Sequence, residues 1–446
     1  MPFRFVHTAD LHLDSPLKSL AMRDPELAGA VATASRESLS DIVRRCLEER
    51  VDALMIAGDL FDGAQNSVKT ALFLASELKR LSEAGIETFI VRGNHDAKTA
   101  FGRGVDLPDG VHVFDGHGRA VTSSRNDRVH VHGVSFREVH APESLLSRYA
   151  KPDADGIHIG LMHTSLAGSE GHDAYAPCAL ADLVDHGFHY WGLGHVHGRS
   201  VHHEAPSCAV VMPGMPQGRD MGEAGAKSAT IVEIADDGSV ALDSFATALA
   251  QFARVEVPLE RSNGWDSALD CAEAALIAAS GDTNADRLVA RLEVTGECEH
   301  AWKLTRDADA FADELVERLR RDDPNGQSGV FVEKVVLDVR APNASTRRAA
   351  NDPGEGQAAM AELRATMHDV AGEDEFRLFA RERVERLLKS FPPRSVDIRD
   401  SAFGADEAAQ AARIEEMIER GLALVTARLE GAEAERGEVS GGGIRR

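Results

Sequence analysis

Short apolar runs alternate with amphipathic stretches through the first 250 residues. Residues 3–8, 53–57 and 88–92 read as strands, and the 3.6-residue periodicity of 34–49 and 68–84 predicts helices between them. That alternation is the grammar of βαβ units. Further strand-like runs follow at 111–114, 129–134, 157–162 and 190–194. The closely spaced runs 209–212, 228–234 and 240–245 predict antiparallel strands, and a first domain spanning 1–250.

From 251 to 340, strands near Val255, 288–294 and 330–339 interleave with helices at 265–278 and 308–319, which predicts a small α+β accessory domain. Residues 341–357 are polar, contain Pro353-Gly354 and read as a linker. Only helical patterns remain across 358–436. Phe376, Phe379, Val384, Leu387 and Leu388 share one helical face, and Ile414, Ile418, Leu422, Val425 and Leu429 share another. These stripes fit either a helical pair packing on its own domain or a docking surface for another protein. Residues 437–446, with Gly441-Gly-Gly443, are expected to be disordered.

A length of 446 residues, 43% of them hydrophobic and 27% charged, suits a soluble chain of two domains and a tail. Asp and Glu outnumber Lys and Arg by 73 to 49, for a net charge of −24. Such a balance argues against coating nucleic acid by electrostatics alone, which relies on cations that neutralise phosphates. It leaves room for a local basic groove or for DNA presented by a partner. Aromatic residues make up 5% of the chain, too few for an extended base-stacking platform. Cys46, Cys178, Cys208, Cys271 and Cys298 form no C-x-x-C pair and read as reduced buried thiols. No stretch reads as a leader or membrane span, so the expected location is the cytoplasm.

Polar residues of one chemical kind end several of the apolar runs. They are Asp10-Leu-His12, Gly58-Asp59, Gly93-Asn94-His95-Asp96, His163 and Gly194-His195-Val-His197. Their mixed nitrogen and oxygen donors, with no cysteine among them, suit Mn2+, Fe2+ or Zn2+. Asp10 and His12 lie two apart, where an ideal strand turns both side chains to one face and toward one ion. Asp59 has two oxygens that can bridge to a second ion, which Asn94, His163 and His195 would also hold, while His197 returns to the first. Gly58 leaves room for the turn before Asp59. Two ions about 3.5–4 Å apart can bind a phosphate, lower the pKa of a bridging water and neutralise charge during in-line attack. The implied chemistry is phosphoester hydrolysis.

His95 points away from Asn94 if the segment is extended. It is then free to protonate a leaving oxygen, with Asp96 holding its tautomer. The competing readings for His95 are a further metal ligand or a structural histidine. Asp14 and Asp62 are candidate acceptors that orient His12 or a turn. His7, His130 and His132 read as packing or surface residues, and His172, His202 and His203 as loop residues before substrate ligands.

Taken in order, D-x-H, G-D, G-N-H-D, H and G-H-x-H resemble the calcineurin-like metallophosphoesterases, and every motif is matched. The resemblance implies a β-sandwich flanked by helices. It also implies one metal at Asp10, His12, Asp59 and His197, another at Asp59, Asn94, His163 and His195, and His95 as the catalytic histidine. Thr8-Ala-Asp10-Leu-His12-Leu-Asp14-Ser-Pro16, Ala57-Gly-Asp59-Leu-Phe-Asp62 and Pro213-Gly-Met-Pro-Gln-Gly-Arg219 look like the DNA-repair exonuclease branch, which includes the SbcD nuclease subunits and YhaO proteins. That branch implies two divalent ions, foremost Mn2+, and exonuclease or endonuclease cleavage of DNA. It further implies a capping domain at 251–340, helices within 358–436 that dock a coiled-coil ATPase of the SbcC type, and a homodimer. Motifs carry the resemblance over about residues 1–250, and layout alone carries it beyond. Arg199 and Arg219 are the candidate substrate contacts, with Arg92, Lys98 and Arg103 also near the motifs; solvated surface charge is the alternative for each. A phosphatase or small-nucleotide phosphodiesterase, and a silent metal-stabilised scaffold, are the competing functions.

Overall fold

The computed structural model describes residues 2–15, 31, 33–62, 67–98, 106–139, 141, 143–152, 156–166, 175–262, 264–298, 301–322, 329–340, 355–390 and 407–441. The chain divides into two units, Met1–Ala253 with Asp282–Val289, and Arg254–Gly281 with Ala290–Arg446.

The apolar runs of the first unit form two six-stranded sheets. In one, β1 (Phe3–Thr8), β2 (Ala53–Ala57), β3 (Glu87–Val91) and β4 (Val111–Val113) run parallel. The chain then builds the second sheet from β5 (Arg119–Thr122), β6 (Val129–Val134), β7 (Ile157–His163), β8 (Tyr190–Gly194), β9 (Ser200–Ala205) and β10 (Cys208–Met212), in the order β5-β6-β7-β8-β10-β9. It returns as the hairpin β11 (Ser228–Ile234) and β12 (Val240–Ala246), which pairs antiparallel with β1.

Alternation along the strands decides the layers. Phe3, Phe5, Met55 and Phe89 meet Val131, Ile159, Leu161 and Tyr190 between the sheets. On the outer face of the first sheet, Val6, Leu54, Ile56 and Ile90 pack on Leu39, Ile42 and Val43 of α1 (Ala34–Glu49) and Leu74, Leu78 and Leu81 of α2 (Val68–Glu83). On the outer face of the second, Met162, Trp191, Leu193 and Val210 pack with Tyr149, Phe188 and Leu183 of α3 (Leu180–His186). β2, β3, β7, β8 and β10 are buried at every position, which is why they read as unbroken apolar runs.

The expected antiparallel group from 209 to 245 is split in the fold. β10 lies parallel to β8 in the second sheet, whereas β11 and β12 join the first. β5 and β9 had no apolar signature, because Arg-Ala-Val-Thr and Ser-Val-His-His-Glu-Ala are edge strands with one side open to water.

β13 (Ala250–Ser262), β14 (Arg287–Cys298) and β15 (Val330–Arg340), the first two from Arg254 and Ala290 onward belonging to the second unit, form a three-stranded sheet in that order. Leu269 and Leu276 of α4 (Trp265–Gly281) are buried, α5 (Ala301–Arg306) follows, and Phe311 and Leu315 of α6 (Ala308–Asp322) are buried. Trp265 meets Phe311 edge-on at 5.4 Å. α7 (Glu355–Gly372), α8 (Asp374–Ser390) and α9 (Glu407–Gly441) complete the unit.

α8 and α9 close on one another through Val384 and Ile414, flanked by Ala380 and Ile418. Phe376, Phe379 and Leu387 of the first stripe and Val425 of the second are exposed, Phe379 by 52% and Leu387 by 49%, whereas Leu422 and Leu429 are half-buried. Two boundaries differ from expectation. Residues 355–357 of the expected linker already belong to α7, and 437–441 of the expected tail continue α9, whose Glu- and Ala-rich sequence favours helix. Residues 341–354 and 442–446, Leu388's side chain, Arg103 and His172 lie outside the described residues. Cys46, Cys178, Cys208 and Cys298 are buried thiols outside any disulfide, but Cys271 is exposed. Among the described residues no helix is long and apolar enough to cross a membrane.

Candidate metal centre

Every predicted donor lies at or just past the carboxyl end of a parallel strand, where open α/β sheets present their sites. Asp10 and His12 follow β1, Asp59 follows β2 and Asn94 follows β3; His163 ends β7, and His195 and His197 follow β8. The donors therefore come from both sheets. Asp10 and His12 do not reach a common point by strand alternation, because β1 stops at Thr8. Both residues take left-handed backbone, φ 53° and 40°, as do Asp59 at 51° and His195 at 107°. Such conformations cost about 1–3 kcal/mol each and persist only where the surroundings impose them. Here the loops after β1 and β2 clasp each other: Asp10 N–H donates to Gly58 O at 2.9 Å and His12 N–H to Asp59 O at 3.0 Å.

Close approach explains the glycines. A Cβ on Gly58 would fall 2.3 Å from His163 Nδ1, and one on Gly93 would fall 2.1 Å from Asp59 Oδ1.

The donor atoms converge as a set of acceptors. His163 engages Ala57 O through Nδ1 at 2.9 Å, which puts its ring proton there. Its Nε2 lone pair then faces Asn94 Oδ1 at 3.0 Å and Asp59 Oδ2 at 3.4 Å. Three acceptors at these separations call for a cation or an added proton. Without metal the proton answers. Burial opposes charge on His163, but Asp59 and Asp10 outweigh it and lift the imidazole to about 9. Burial would raise Asp59 as well, yet His163, His12 and His95 hold its carboxyl well below the usual range.

His12 is buried with neither ring nitrogen hydrogen-bonded, and burial drives it down to about 3. Its Nε2 lies 3.9 Å from Asp59 Oδ2, so one carboxylate oxygen stands between the His163 and His12 imidazoles. Donor atoms of Asp10, His12 and His197 lie within 4.8 Å of one another, and so do those of Asp10, Asp59 and His163. Asp10 thus borders both clusters; it also accepts the His195 N–H at 3.0 Å. The His195 ring stands 5.2 Å from that of His163. This set of nitrogen and oxygen donors fits divalent ions, which Asp10, His12, Asp59, His163 and His197 would hold.

The expected partner of His95 is corrected. Asp96 is fully buried, and its carboxylate accepts the backbone N–H groups of Leu60, Phe61 and Gly93 at 3.1 Å. It ties the loops after β2 and β3 together, and burial and Asp59 raise it to about 7. Asp62 meets His95 Nδ1 at 3.0 Å instead, and that bond raises the imidazole pKa. The reason is the turn: a 3-10 helix starts at Asp96, so His95 turns to solvent, 41% exposed, while Asp96 turns inward. The His95 N–H donates to Asp59 Oδ1 at 3.0 Å.

The two arginines are also not free substrate contacts. Arg199 Nη1 donates to Thr230 Oγ1 on β11. Arg219 is gripped by Glu223 through Nε at 3.1 Å, and its Nη1 reaches Ser15 Oγ at 3.4 Å. Glu223, which sequence reading missed, also meets His197 Nδ1 at 2.7 Å, leaving Nε2 as the nitrogen for a metal. Its one signal was an acid four residues past Arg219 in the glycine-rich loop. His7 is buried against the Tyr190 hydroxyl at 2.8 Å, and His132 pairs with His158 at 2.9 Å, as packing residues do.

The profile of the family described as calcineurin-like phosphoesterase matches residues 3–199, the segment that carries every one of these donors. The chain carries a calcineurin-like phosphoesterase domain. Residues 252–340, beyond the phosphoesterase domain, match the profile described as metallophosphoesterase YhaO, middle domain. The chain is 35% identical over 240 residues to the uncharacterized metallophosphoesterase YhaO of Bacillus subtilis, covering 52% of this chain and 57% of that one. It is 28% identical over 235 residues to the DNA double-strand break repair protein Mre11 of Methanopyrus kandleri, covering 48% of this chain and 49% of that one. With Mre11 of Methanocaldococcus jannaschii the identity is 25% over 206 residues, covering 44% and 51%. The chain thus spans about half the length of the curated relatives it matches.

Proposed function

We propose that this chain is a two-metal phosphodiesterase that cleaves DNA, the nuclease subunit of a DNA-repair complex with a coiled-coil ATPase of the SbcC type. One observation carries the reading: two acceptor clusters share Asp10, an Asp59 oxygen stands between the His12 and His163 imidazoles, and beside them His95 is half open to solvent in the grip of Asp62. Two divalent ions there, for which we expect Mn2+ before Fe2+ or Zn2+, supply the charge that binds a phosphodiester and makes water nucleophilic at neutral pH. The remaining work belongs to side chains. Asp62 occupies His95 Nδ1, which leaves Nε2–H of the imidazolium to meet the phosphate and protonate the leaving oxygen. Asp59 anchors the His95 backbone, so the acid and the bridging carboxylate keep a fixed relation.

DNA as substrate is supported by the likeness to the Mre11 repair proteins. The net charge of −24 supports capture at the metal centre and by the partner over capture by a broad basic surface. Exposed Phe379, Leu387 and Val425 support ATPase docking on α8 and α9, in a cytoplasmic complex whose nuclease chain pairs as a homodimer. A chain ended after Arg340 should lose the copurifying ATPase, and retention would sink that assignment.

The deciding experiment is Mn2+-dependent hydrolysis of end-labelled linear DNA beside bis-p-nitrophenyl phosphate, for the native chain and His95→Ala with metal content measured. We expect native cleavage of both substrates, and a loss of about 10²–10⁴-fold in the variant while both ions stay bound. Cleavage of the small diester alone, even with the ATPase added, would reassign the chain to small substrates, and cleavage of neither would leave the scaffold reading.

A further inference from the structure

The rings of His95 and His197 each lie 5.1 Å from the His12 ring, although the two residues come from loops about a hundred positions apart. A chain of alternating charge joins them. Glu223 Oε1 meets His197 Nδ1 at 2.7 Å and also takes Nη2 of Arg219, while Oε2 accepts the Arg219 backbone N–H at 2.8 Å. The other arm of the same guanidinium lies 3.9 Å from Asp62 Oδ2, with Ser15 Oγ donating to that oxygen at 2.8 Å. Asp62 Oδ1 meets His95 Nδ1 at 3.0 Å.

We infer that Arg219 and Glu223 are positioning residues, a carboxylate–guanidinium–carboxylate bridge that holds the metal-ligating His197 and the Asp62–His95 pair at a fixed separation. The bridge rests on the proposed function for its catalytic meaning. A planar guanidinium with donors in a rigid fork suits the task, because each arm can be engaged by a different carboxylate at once. Glu223 is braced in turn: it ends a 3-10 turn, Met221–Glu223, in which Asp220 accepts the Gly222 N–H at 2.7 Å. Neither end of the bridge is held by the backbone of a regular strand or long helix, so side-chain links must define the separation.

The test uses the full chain loaded with Mn2+ and bis-p-nitrophenyl phosphate as substrate. Arg219→Met should lower kcat about tenfold or more with KM nearly unchanged, and Arg219→Lys should recover part of the loss. In a His95→Ala background the same substitution should matter by less than about twofold, because its effect passes through His95. A raised KM at unchanged kcat, or an equal loss without His95, would overturn the bridge and make Arg219 a substrate contact.

Two readouts need no turnover. Titration calorimetry with Mn2+ alone should show about 10-fold weaker binding in Glu223→Gln, whose carboxamide cannot bridge two cationic groups. In Zn2+-loaded protein, the His95 ring resonances, identified by their absence in His95→Ala, should move in both Arg219→Met and Glu223→Gln, neither of which alters a direct partner of His95. Unmoved resonances would overturn the bridge even if the enzyme is active. An inactive native chain would instead overturn the proposed function, with calorimetry and resonances still deciding the bridge. Should Arg219→Met fail to fold, the near-isosteric Glu223→Gln carries the same comparisons.

Discussion

Gly93 and Gly198 both adjoin proposed metal ligands, yet an added methyl group should have opposite consequences at the two. At Gly93 the new Cβ would lie 2.1 Å from Asp59 Oδ1 and 2.8 Å from both its Cγ and its backbone nitrogen. The carboxylate cannot swing aside freely, since Oδ1 accepts the His95 N–H at 3.0 Å and Oδ2 faces His163 at 3.4 Å. Overpacking costs about 1–3 kcal/mol and loss of a hydrogen bond to a charged group about 1.5–3, so Gly93→Ala should destabilise the first unit by roughly 3–6 kcal/mol. At about 2–4 °C per kcal/mol for a unit of this size, melting should fall by about 6–24 °C. The Asp59 carboxylate, proposed to bridge the ions, is the group displaced, so bound Mn2+ should fall as well.

At Gly198 a Cβ would meet nothing within 4 Å and the backbone is not left-handed, so Gly198→Ala should stay within about 0.5 kcal/mol of wild type and keep its metal. The assay is thermal melting with and without chelator, paired with metal analysis of the dialysed proteins. If Gly93→Ala melts and binds metal as Gly198→Ala does, the close approach of the β2 and β3 loops is wrong, and so is the placement of Asp59.

Two further outcomes follow from the titrating groups. The Asp62 bond raises the His95 pKa, and the imidazole acts as an acid only below it, so Asp62→Asn should move the alkaline limb of the pH–rate profile to lower pH. A limb that stays put would assign it to another group. In the chelated protein His12 and His163 pull in opposite directions from the ordinary 6.5. His12, held neutral down to about 3, loses its contribution as pH falls below 6.5; His163, held charged up to about 9, loses its own as pH rises from 6.5 through 9. The contribution of this pair without metal should therefore peak near pH 6.5, and saturating Mn2+ should remove its alkaline decline by taking the place of the His163 proton. An alkaline decline equal in both states, followed by denaturant unfolding, would refute that origin.

How much of this was legible in advance depended on whether a residue's role was local. Central strands announced themselves because a strand covered on both faces must be mainly apolar, and 3–8, 53–57, 129–134 and 190–194 fall where the periodicity put them. Edge strands did not, because β5 and β9 owe their existence to the neighbour that pairs with them. The same distinction runs through the site. Asp, His and Asn beside glycines at strand ends are a chemical statement about metal ions that survives in one dimension. Which carboxylate holds His95 is not: Asp96 is adjacent in sequence, but a 3-10 turn points it at three backbone N–H groups and leaves Asp62 to reach the ring.

The sequence by itself determined the donor set, its order and the glycines that make room for it, because ligand chemistry and the space at a turn are properties of residue types. Only the tertiary structure decided that the donors come from two sheets, that Asp10 and His12 converge through left-handed turns, and that Glu223 and Arg219 link His197 to Asp62. Those are distances between segments far apart in the chain, and they exist only once packing of the two sheets has brought the strand ends together.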